Sequence, residues 1–408
     1  MDKQKKNKYS FKSLLSKIIL GLAITIFILL LIIFLTTDTK NIVQAFKHIN
    51  IPNLCVAISL TIIYFILSPI TTCILTKTNK CNISMLDTYL IANTEHFFNG
   101  ITPFATGGQP FQVYSYARLN VTPADSTGIL IMNYLINVAF INLFAVISVI
   151  IFPQLLQAVG NLLPLIIVGF AVNILAYLLI VLLACSKRVA EFLVKLLTLL
   201  SKIKVLNKFI VPAIPAFQKY CNDTQTAFKA LWKHKLTALI CFLIRTITML
   251  IYYAITFYIL RSFNINVQYK DFLFVMCGTA FVIIGCVFVP TPGGSGGIEF
   301  AFTSIFVFIA SGITSDIGAS GMLLWRILTY YGLMFISFIN YLILEKRTNK
   351  FEKAHRVLAL EPPAIVFNDT NSNSCNNDKF ETENVENDVN LITKIDINAN
   401  ELNEDKND

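Results

Sequence analysis

Three ionisable residues lie inside long apolar segments of the chain, where a charge is costly. They are Arg245, Arg326 and Glu299. Because each costs roughly 2.5 to 3.5 kcal/mol at the centre of a membrane helix, we expect all three to face the interior of a helix bundle. Two guanidinium groups suit a ligand with a phosphate, which arginine grips in bidentate fashion, and Glu299 could then accept an ammonium group. The alternative is that Glu299 pairs with one of the arginines and only stabilises packing.

A ten-residue pattern occurs twice without gaps, at 102–111 and at 291–300. Both copies read T-P-x-x-[ST]-G-G-x-x-F. Proline removes a backbone donor and glycine permits unusual backbone conformations, so each copy predicts a helix break within apolar sequence. Such a break must be buried in protein or line a wet cavity, since lipid cannot satisfy its polar groups. We expect the breaks to form an inverted repeat that turns half-helix N-termini toward an anionic group.

The predicted binding site combines these breaks with the charged residues. Arg118 follows the first break and is expected at the cytoplasmic mouth, where it either binds headgroups or acts as an ordinary positive-inside anchor. The predicted ligand-binding residues are Arg245, Glu299, Arg326, Arg118, Thr102, Gly107, Gly108, Thr291, Ser295, Gly296 and Gly297.

Sequence motifs for catalysis are weak. The segment 293–297 matches the G-x-S-x-G pattern of hydrolases, but that motif requires a strand before it, and here the context is a helical membrane segment. An intramembrane protease with Ser295 as nucleophile would have only His96 near membrane depth as a base. No Walker loop and no metal-ligand spacing occurs in the sequence. We therefore predict no catalytic residue, no metal and no cofactor.

Composition and apolar windows indicate the fold class. Of the 408 residues, 55% are hydrophobic and only 14% are charged, which excludes a soluble enzyme and predicts an all-α polytopic membrane protein. About 20 apolar residues are needed to cross a bilayer. Eight such passes are predicted, two of them beside the second break, at 18–37, 53–75, 127–152, 163–185, 236–260, 272–289, 298–313 and 321–344.

Charge assigns orientation and domains. Residues 186–235 hold ten Lys/Arg against two acids, so this loop and both termini are predicted to be cytoplasmic. Part of the loop is amphipathic and is expected either to lie on the anionic inner leaflet or to pack on neighbouring helices. We divide the chain into a basic N-terminus (1–17), a transmembrane domain (18–345), and a cytoplasmic tail (346–408). The tail is predicted to be disordered, because half of the 24 acids follow residue 360.

The segments NGITPFATGGQPFQVYSYARL and VPTPGGSGGIEFAF resemble the transmembrane region of bacterial lysylphosphatidylglycerol synthases. The resemblance covers roughly residues 15 to 345. It implies that the chain moves aminoacylated phospholipid between leaflets of the bacterial cell membrane and confers resistance to cationic antimicrobial peptides. The matching positions are Thr102, Pro103, Gly107, Gly108 and Gln109 in the first motif, and Pro290, Pro292, Gly293, Gly294, Gly296, Gly297 and Glu299 in the second.

Full-length synthases of this family add a soluble domain that transfers lysine from tRNA to phosphatidylglycerol. Neither 186–235 nor the tail is long enough for an ordinary domain of about 100 to 150 residues. The leading hypothesis is therefore a translocase for an anionic or aminoacylated phospholipid, with a separate lipid-aminoacylating enzyme as partner, no nucleic acid partner, and a homo-oligomer as an open option. The alternatives are lysyl transfer to phosphatidylglycerol, and a membrane scaffold that does not transport.

Overall fold

The computed structural model describes residues 45–102, 105–158, 163–202, 204–265, 267–286, 291, 297–309 and 315–360. Every regular element in these ranges is helical, and the protein is an all-α polytopic membrane protein, as predicted. The described residues up to Leu358 belong to one compact unit. The apolar window at 18–37, the basic N-terminus and the acidic sequence after residue 360 lie outside the described residues.

The helices follow one another with short connections. In chain order they are α1 (Ile51–Leu67), α2 (Ile70–Thr78), α3 (Met85–Gly100), α4 (Gly108–Arg118), α5 (Pro123–Ile151), α6 (Leu155–Ala158), α7 (Leu163–Cys185), α8 (Lys187–Leu200), α9 (Lys204–Lys233), α10 (Lys235–Ser262), α11 (Phe272–Cys286), α12 (Gly297–Ile309), α13 (Ser315–Arg326) and α14 (Leu333–Leu360). A π-helical segment, Ile327–Gly332, joins α13 to α14.

Five helices in the described part of the chain are long and apolar enough to cross a membrane. They are Ile51–Thr78, Pro123–Ile151, Ile166–Cys185, Lys235–Ser262 and Ile317–Ala354, which correspond to five of the eight predicted windows. Local sequence fixes where α5 begins, because the Thr122 side chain accepts a hydrogen bond from the Asp125 backbone and Pro123 occupies the first helical position. The last span continues through the π-helical segment as one long helix, residues 315–360.

Short helices flank both predicted breaks, and those beside the second break, α11 and α12, correspond to the predicted windows at 272–289 and 298–313. In the first hairpin α3 has 16 residues and α4 has 11, and in the second α11 has 15 and α12 has 13. At about 1.5 Å per residue these helices are roughly 17 to 24 Å long, less than the ~30 Å of a bilayer core. Each break therefore joins two half-helices, and this favours a re-entrant hairpin over two full crossings at 272–309.

The number of candidate spans between the two hairpins bears on the side of the membrane from which each hairpin enters. Three candidate spans, α5, α7 and α10, lie between the first hairpin and the second. If each of these spans crosses once and each hairpin returns to its own side, the two hairpins enter from opposite faces of the membrane. This parity argument needs no assumption about which side is cytoplasmic.

The interior between these elements is filled by aromatic and aliphatic side chains. Phe257 of α10, Phe281 of α11, Phe302 of α12 and Trp325 of α13 belong to one buried cluster. The outward faces are different, since large apolar residues such as Leu175, Ile247 and Phe335 are more than half exposed. Lipid is the environment that such a surface requires.

Candidate functional site

The tips of both hairpins line one internal cavity of about 320 Å³. Ala105 and Gln109 contribute from the first break, and Thr291 and Ile298 from the second. The other walls come from α1, α3, α5, α10 and the π-helical segment. The two sequence copies of the repeated pattern therefore meet in space around a common chamber.

Arg245 of α10 is the cation in the wall of this cavity. It is only 5% exposed, and its Nη2 donates to Oγ1 of Thr71 at 2.7 Å and to Oδ1 of Asn133 at 2.9 Å. Thr71 in turn donates to the same Asn133 oxygen at 3.0 Å. The Arg245 Nε has no hydrogen-bond partner among the described residues. A guanidinium in a cavity wall that is held by neutral groups, with no carboxylate to neutralise it, is suited to bind an anion.

A carboxylate and an imidazole lie in the same cavity, on α3. The Oε1 of Glu95 accepts a hydrogen bond from Nδ2 of Asn99 at 3.3 Å, and no described cation lies within 4.0 Å of Glu95. His96 is packed between the rings of Tyr64 and Phe65, with centroid distances of 5.8 and 5.9 Å. The cavity thus presents a guanidinium and a carboxyl group without joining them in an ion pair.

Neutral polar groups complete the lining. Asn133 and Asn137 lie one helical turn apart on α5, and both face the cavity. The Oδ1 of Asn137 is buried and has no hydrogen-bond partner among the described residues. The side chain of Gln112 is held in position by α3, because its Nε2 donates to the backbone oxygen of Ala92 at 3.1 Å. These groups give a ligand several positions for hydrogen bonds.

The other two predicted charges form a pair outside the cavity lining. Nη2 of Arg326 lies 2.8 Å from Oε1 of Glu299, and the two side chains are 2% and 1% exposed. The guanidinium also lies over the rings of Tyr330 and Trp325, at 5.1 and 5.7 Å. The structure therefore shows the pairing that was the alternative interpretation of Glu299, with Arg326 as its partner.

The first break is organised by its own side chains. The backbone N–H groups of Gly107 and Gly108 donate to Oγ1 of Thr102 and Oδ1 of Asn99, at 2.9 and 2.8 Å. Ala105 takes a left-handed conformation with φ of 51°. These two N–H groups were expected to face a ligand, but they are used inside the break as an N-terminal cap for α4.

The second break is described only in part. Thr291 lines the cavity, and Gly297 is the first residue of α12. Ser295 and Gly296 lie outside the described residues, and so do Pro290, Pro292, Gly293 and Gly294.

Arg118 lies at the far end of α4, away from the cavity lining. Its Nη1 lies 2.7 Å from Glu345 and its Nε 2.8 Å from Glu352, both on α14, and its Nη2 donates to Asn349. A third ion pair joins Arg347 of α14 to Asp87, near the start of α3. Arg118 therefore ties the first hairpin to the last helix.

The last helix also contacts the middle and the tip of this hairpin. Oγ of Ser337 accepts from the Phe97 backbone N–H at 3.0 Å and donates to the Asn93 carbonyl at 2.6 Å, the two groups that an ideal helix would pair. Nearer the tip, the Tyr330 hydroxyl donates to the Gly100 carbonyl at 2.6 Å. Tyr330 belongs to the π-helical segment, a geometry that is rare and often found at functional sites.

Comparison with protein families agrees with this architecture. The model of the family described as lysylphosphatidylglycerol synthase TM region matches residues 18–337, and the protein belongs to this family. The matched region contains both hairpins and every residue that lines the cavity. A search of curated proteins gave no match.

Sequence reasoning missed several residues that build the cavity. Thr71 and Asn133, which hold Arg245, were not among the predicted site residues, and Glu95 and His96 were not among them either. A signal for α5 was present, because Asn133 and Asn137 are four residues apart in an otherwise apolar segment. No comparable signal distinguishes Arg245 from Arg326, since both lie within apolar windows.

Proposed function

We propose that the protein is a phospholipid translocase, which moves an anionic or aminoacylated glycerophospholipid such as lysylphosphatidylglycerol between the leaflets of the bacterial cell membrane. The observation that carries this proposal is the position of Arg245, a guanidinium in the wall of the cavity between the two breaks, held by neutral oxygens and with no carboxylate within 4.0 Å among the described residues. A lipid phosphate is the anion that a membrane supplies at this depth.

The charges of the cavity define how a headgroup would be bound. The phosphate accepts hydrogen bonds from Arg245, and an ammonium group, where the lipid has one, is stabilised by Glu95. Asn137 and Gln109 hydrogen-bond the glycerol or carbonyl oxygens. In this proposal Arg326 and Glu299 are not direct ligands, because they form a buried pair with each other and neither belongs to the cavity lining.

The size of the cavity limits which part of the lipid enters it. A volume of about 320 Å³ is at the small end for ligand sites and too small for a molecule with two acyl chains. The headgroup therefore occupies the chamber while the chains stay in the bilayer between helices. This division removes the main cost of lipid exchange, the exposure of a charged headgroup to hydrocarbon.

Alternating access follows from the opposed hairpins. Each hairpin closes the cavity from one face, so movement of one hairpin relative to the other exposes the site first to one leaflet and then to the other. If the cargo is an aminoacylated lipid made by a separate enzyme, its transfer to the outer leaflet would lower the negative charge there and weaken the binding of cationic peptides.

Reconstitution tests the proposal. Purified full chain is placed in vesicles that contain fluorescent phosphatidylglycerol, and exchange is measured as the fraction bleached by an external reductant that cannot cross the bilayer. We expect faster exchange than in protein-free vesicles, and loss of the gain in Arg245→Ala. Arg261→Gln is the control, because Arg261 lies at the other end of α10 against Tyr269. The proposal is rejected if wild type gives no acceleration, or if Arg245→Ala exchanges lipid as fast as wild type.

A further inference from the structure

The helix α8 carries an exposed apolar stripe with a row of cations along one edge. Phe192, Leu196 and Leu199 recur at helical spacing, and their exposed fractions are 63%, 40% and 59%. Arg188 and Lys195 are exposed as well and lie two turns apart, so they line up beside the stripe, and the exposed Glu191 lies one turn from each of them on the side away from the stripe.

The opposite face of α8 is already used. Val189, Ala190 and Leu193 pack against Phe217 and Cys221 of α9 in a small core cluster that includes Leu183 of α7. The stripe is therefore what remains after α8 has packed on its neighbours. A second apolar face is not needed for the fold of this helical pair, and it requires an occupant.

The connections of α8 and α9 hold them at the bilayer surface. Only Ser186 separates α8 from the span α7, and only His234 separates α9 from the span α10. The C-terminal part of α7, next to α8, is also apolar, and its Leu178 and Leu182 are about half exposed. The stripe on α8 thus continues a surface that faces lipid.

At the other end of the α8–α9 pair, an exposed tryptophan and a lysine form a contact that is typical of the membrane interface. Trp232 is 65% exposed at the end of α9, and the Lys235 ammonium lies 5.3 Å from the centre of its ring. Tryptophan with a neighbouring lysine is typical of the depth at which headgroups begin. Both ends of the α8–α9 pair are therefore placed at the headgroup region.

We propose that α8 lies in the membrane interface as a docking surface for anionic lipid, with Phe192, Leu196 and Leu199 inserted among the acyl chains and Arg188 and Lys195 bound to lipid phosphates. The occupied leaflet is the one where α7 ends and α10 begins, which is the cytoplasmic leaflet in the predicted orientation. Insertion of the apolar side chains sets how deep α8 lies in the bilayer, and the two cations give it a preference for anionic lipid. This surface is independent of the cavity and of the proposed transport.

Bromolipid quenching in the reconstituted full chain tests the proposal. Phe192→Trp places a fluorophore in the stripe, and Thr198→Trp is the matched control on the opposite exposed flank. The native Trp232 and Trp325 give the same background in both variants. Vesicles contain lipid brominated in the acyl chain, either in phosphatidylcholine alone or in an equal mixture of phosphatidylcholine with phosphatidylglycerol.

We expect Phe192→Trp to be quenched more strongly than Thr198→Trp, with the excess larger in the phosphatidylglycerol mixture. Adding Arg188→Gln and Lys195→Gln should abolish that dependence on phosphatidylglycerol. Equal quenching of the two tryptophan variants would overturn the docking surface. If Phe192→Trp exceeded Thr198→Trp in quenching by the same amount in both lipid compositions, the preference for anionic lipid would be overturned. If Phe192→Trp is quenched only as the protein is diluted in lipid, the stripe is instead covered by a second copy of the chain and the proposal fails.

Discussion

Oε1 of Glu299 lies 2.8 Å from Nη2 of Arg326, and the two side chains form a buried ion pair between α12 and the end of α13. In the sequence, all three charged residues lie alike inside apolar segments. In the structure they have two different roles. Two neutralise each other inside the protein. Arg245 is instead held by neutral oxygens and lines the cavity.

The buried pair predicts a strong effect on stability. Glu299→Gln or Arg326→Met alone leaves an uncompensated charge in the interior, and each should cost about 3 to 5 kcal/mol of unfolding free energy. The double variant should cost less than the sum of the two single changes. Thermal unfolding in detergent measures this, with Arg118→Gln as control, because its ion pairs are partly exposed and worth about 1 kcal/mol or less. An unchanged transition in Glu299→Gln would contradict the role of the pair.

Glu95 predicts selectivity between headgroups. Glu95→Gln keeps the hydrogen-bond geometry to Asn99 but removes the negative charge, so exchange of a lipid with an amino group should fall while exchange of phosphatidylglycerol is retained. The vesicle assay with both fluorescent lipids measures the ratio of rates. Glu352→Gln, which lies against Arg118 and not in the cavity lining, should leave the ratio unchanged. Loss of both activities by an equal factor would argue against charge recognition at Glu95.

The close packing of the first break predicts a specific glycine requirement. A Cβ on Gly107 would lie 2.6 Å from Cγ2 of Thr102 and 2.7 Å from the backbone oxygen of Phe98. Gly107→Ala should therefore destabilise the protein by about 1 to 3 kcal/mol. Gly128→Ala is the matched control, since the nearest atom would be 3.8 Å away and alanine favours a helix by roughly 0.5 to 1 kcal/mol. Equal stability of the two variants, measured by thermal unfolding, would show that the break has room to relax.

The ion pairs at the open end of the first hairpin predict local opening. In Arg118→Gln the contacts of α4 with Glu345 and Glu352 are lost, and backbone hydrogen exchange in α4 should become faster. The effect should be smaller in high salt, where wild-type pairs with partly exposed carboxylates are already screened. Exchange in α7, which is distant in sequence and carries no such pair, provides the internal reference. Unchanged exchange in α4 would mean that apolar packing alone holds the hairpin.

The sequence predicted the helix class, five of the membrane spans and the interruption between α3 and α4, because apolar length and the pattern T-P-x-x-[ST]-G-G are local features. It also predicted that Arg245, Arg326 and Glu299 are buried. It could not select the partner of Glu299, since that depends on which side each helix turns toward its neighbours. The capping of Gly107 and Gly108 was missed for a related reason, because the acceptor Asn99 lies one helix earlier in the chain.

The contacts along α14 have a mechanical consequence. The long helix 315–360 contacts the first hairpin at three levels. Ion pairs join it to α3 and α4 at the open end of the hairpin, Ser337 bonds the middle of α3, and Tyr330 of the π-helical segment bonds the tip. If the proposed alternating access takes place, these contacts at three levels would make the first hairpin move together with this helix. The two halves of the transport domain would then separate near Thr291 and Ile298, where the second hairpin meets the cavity.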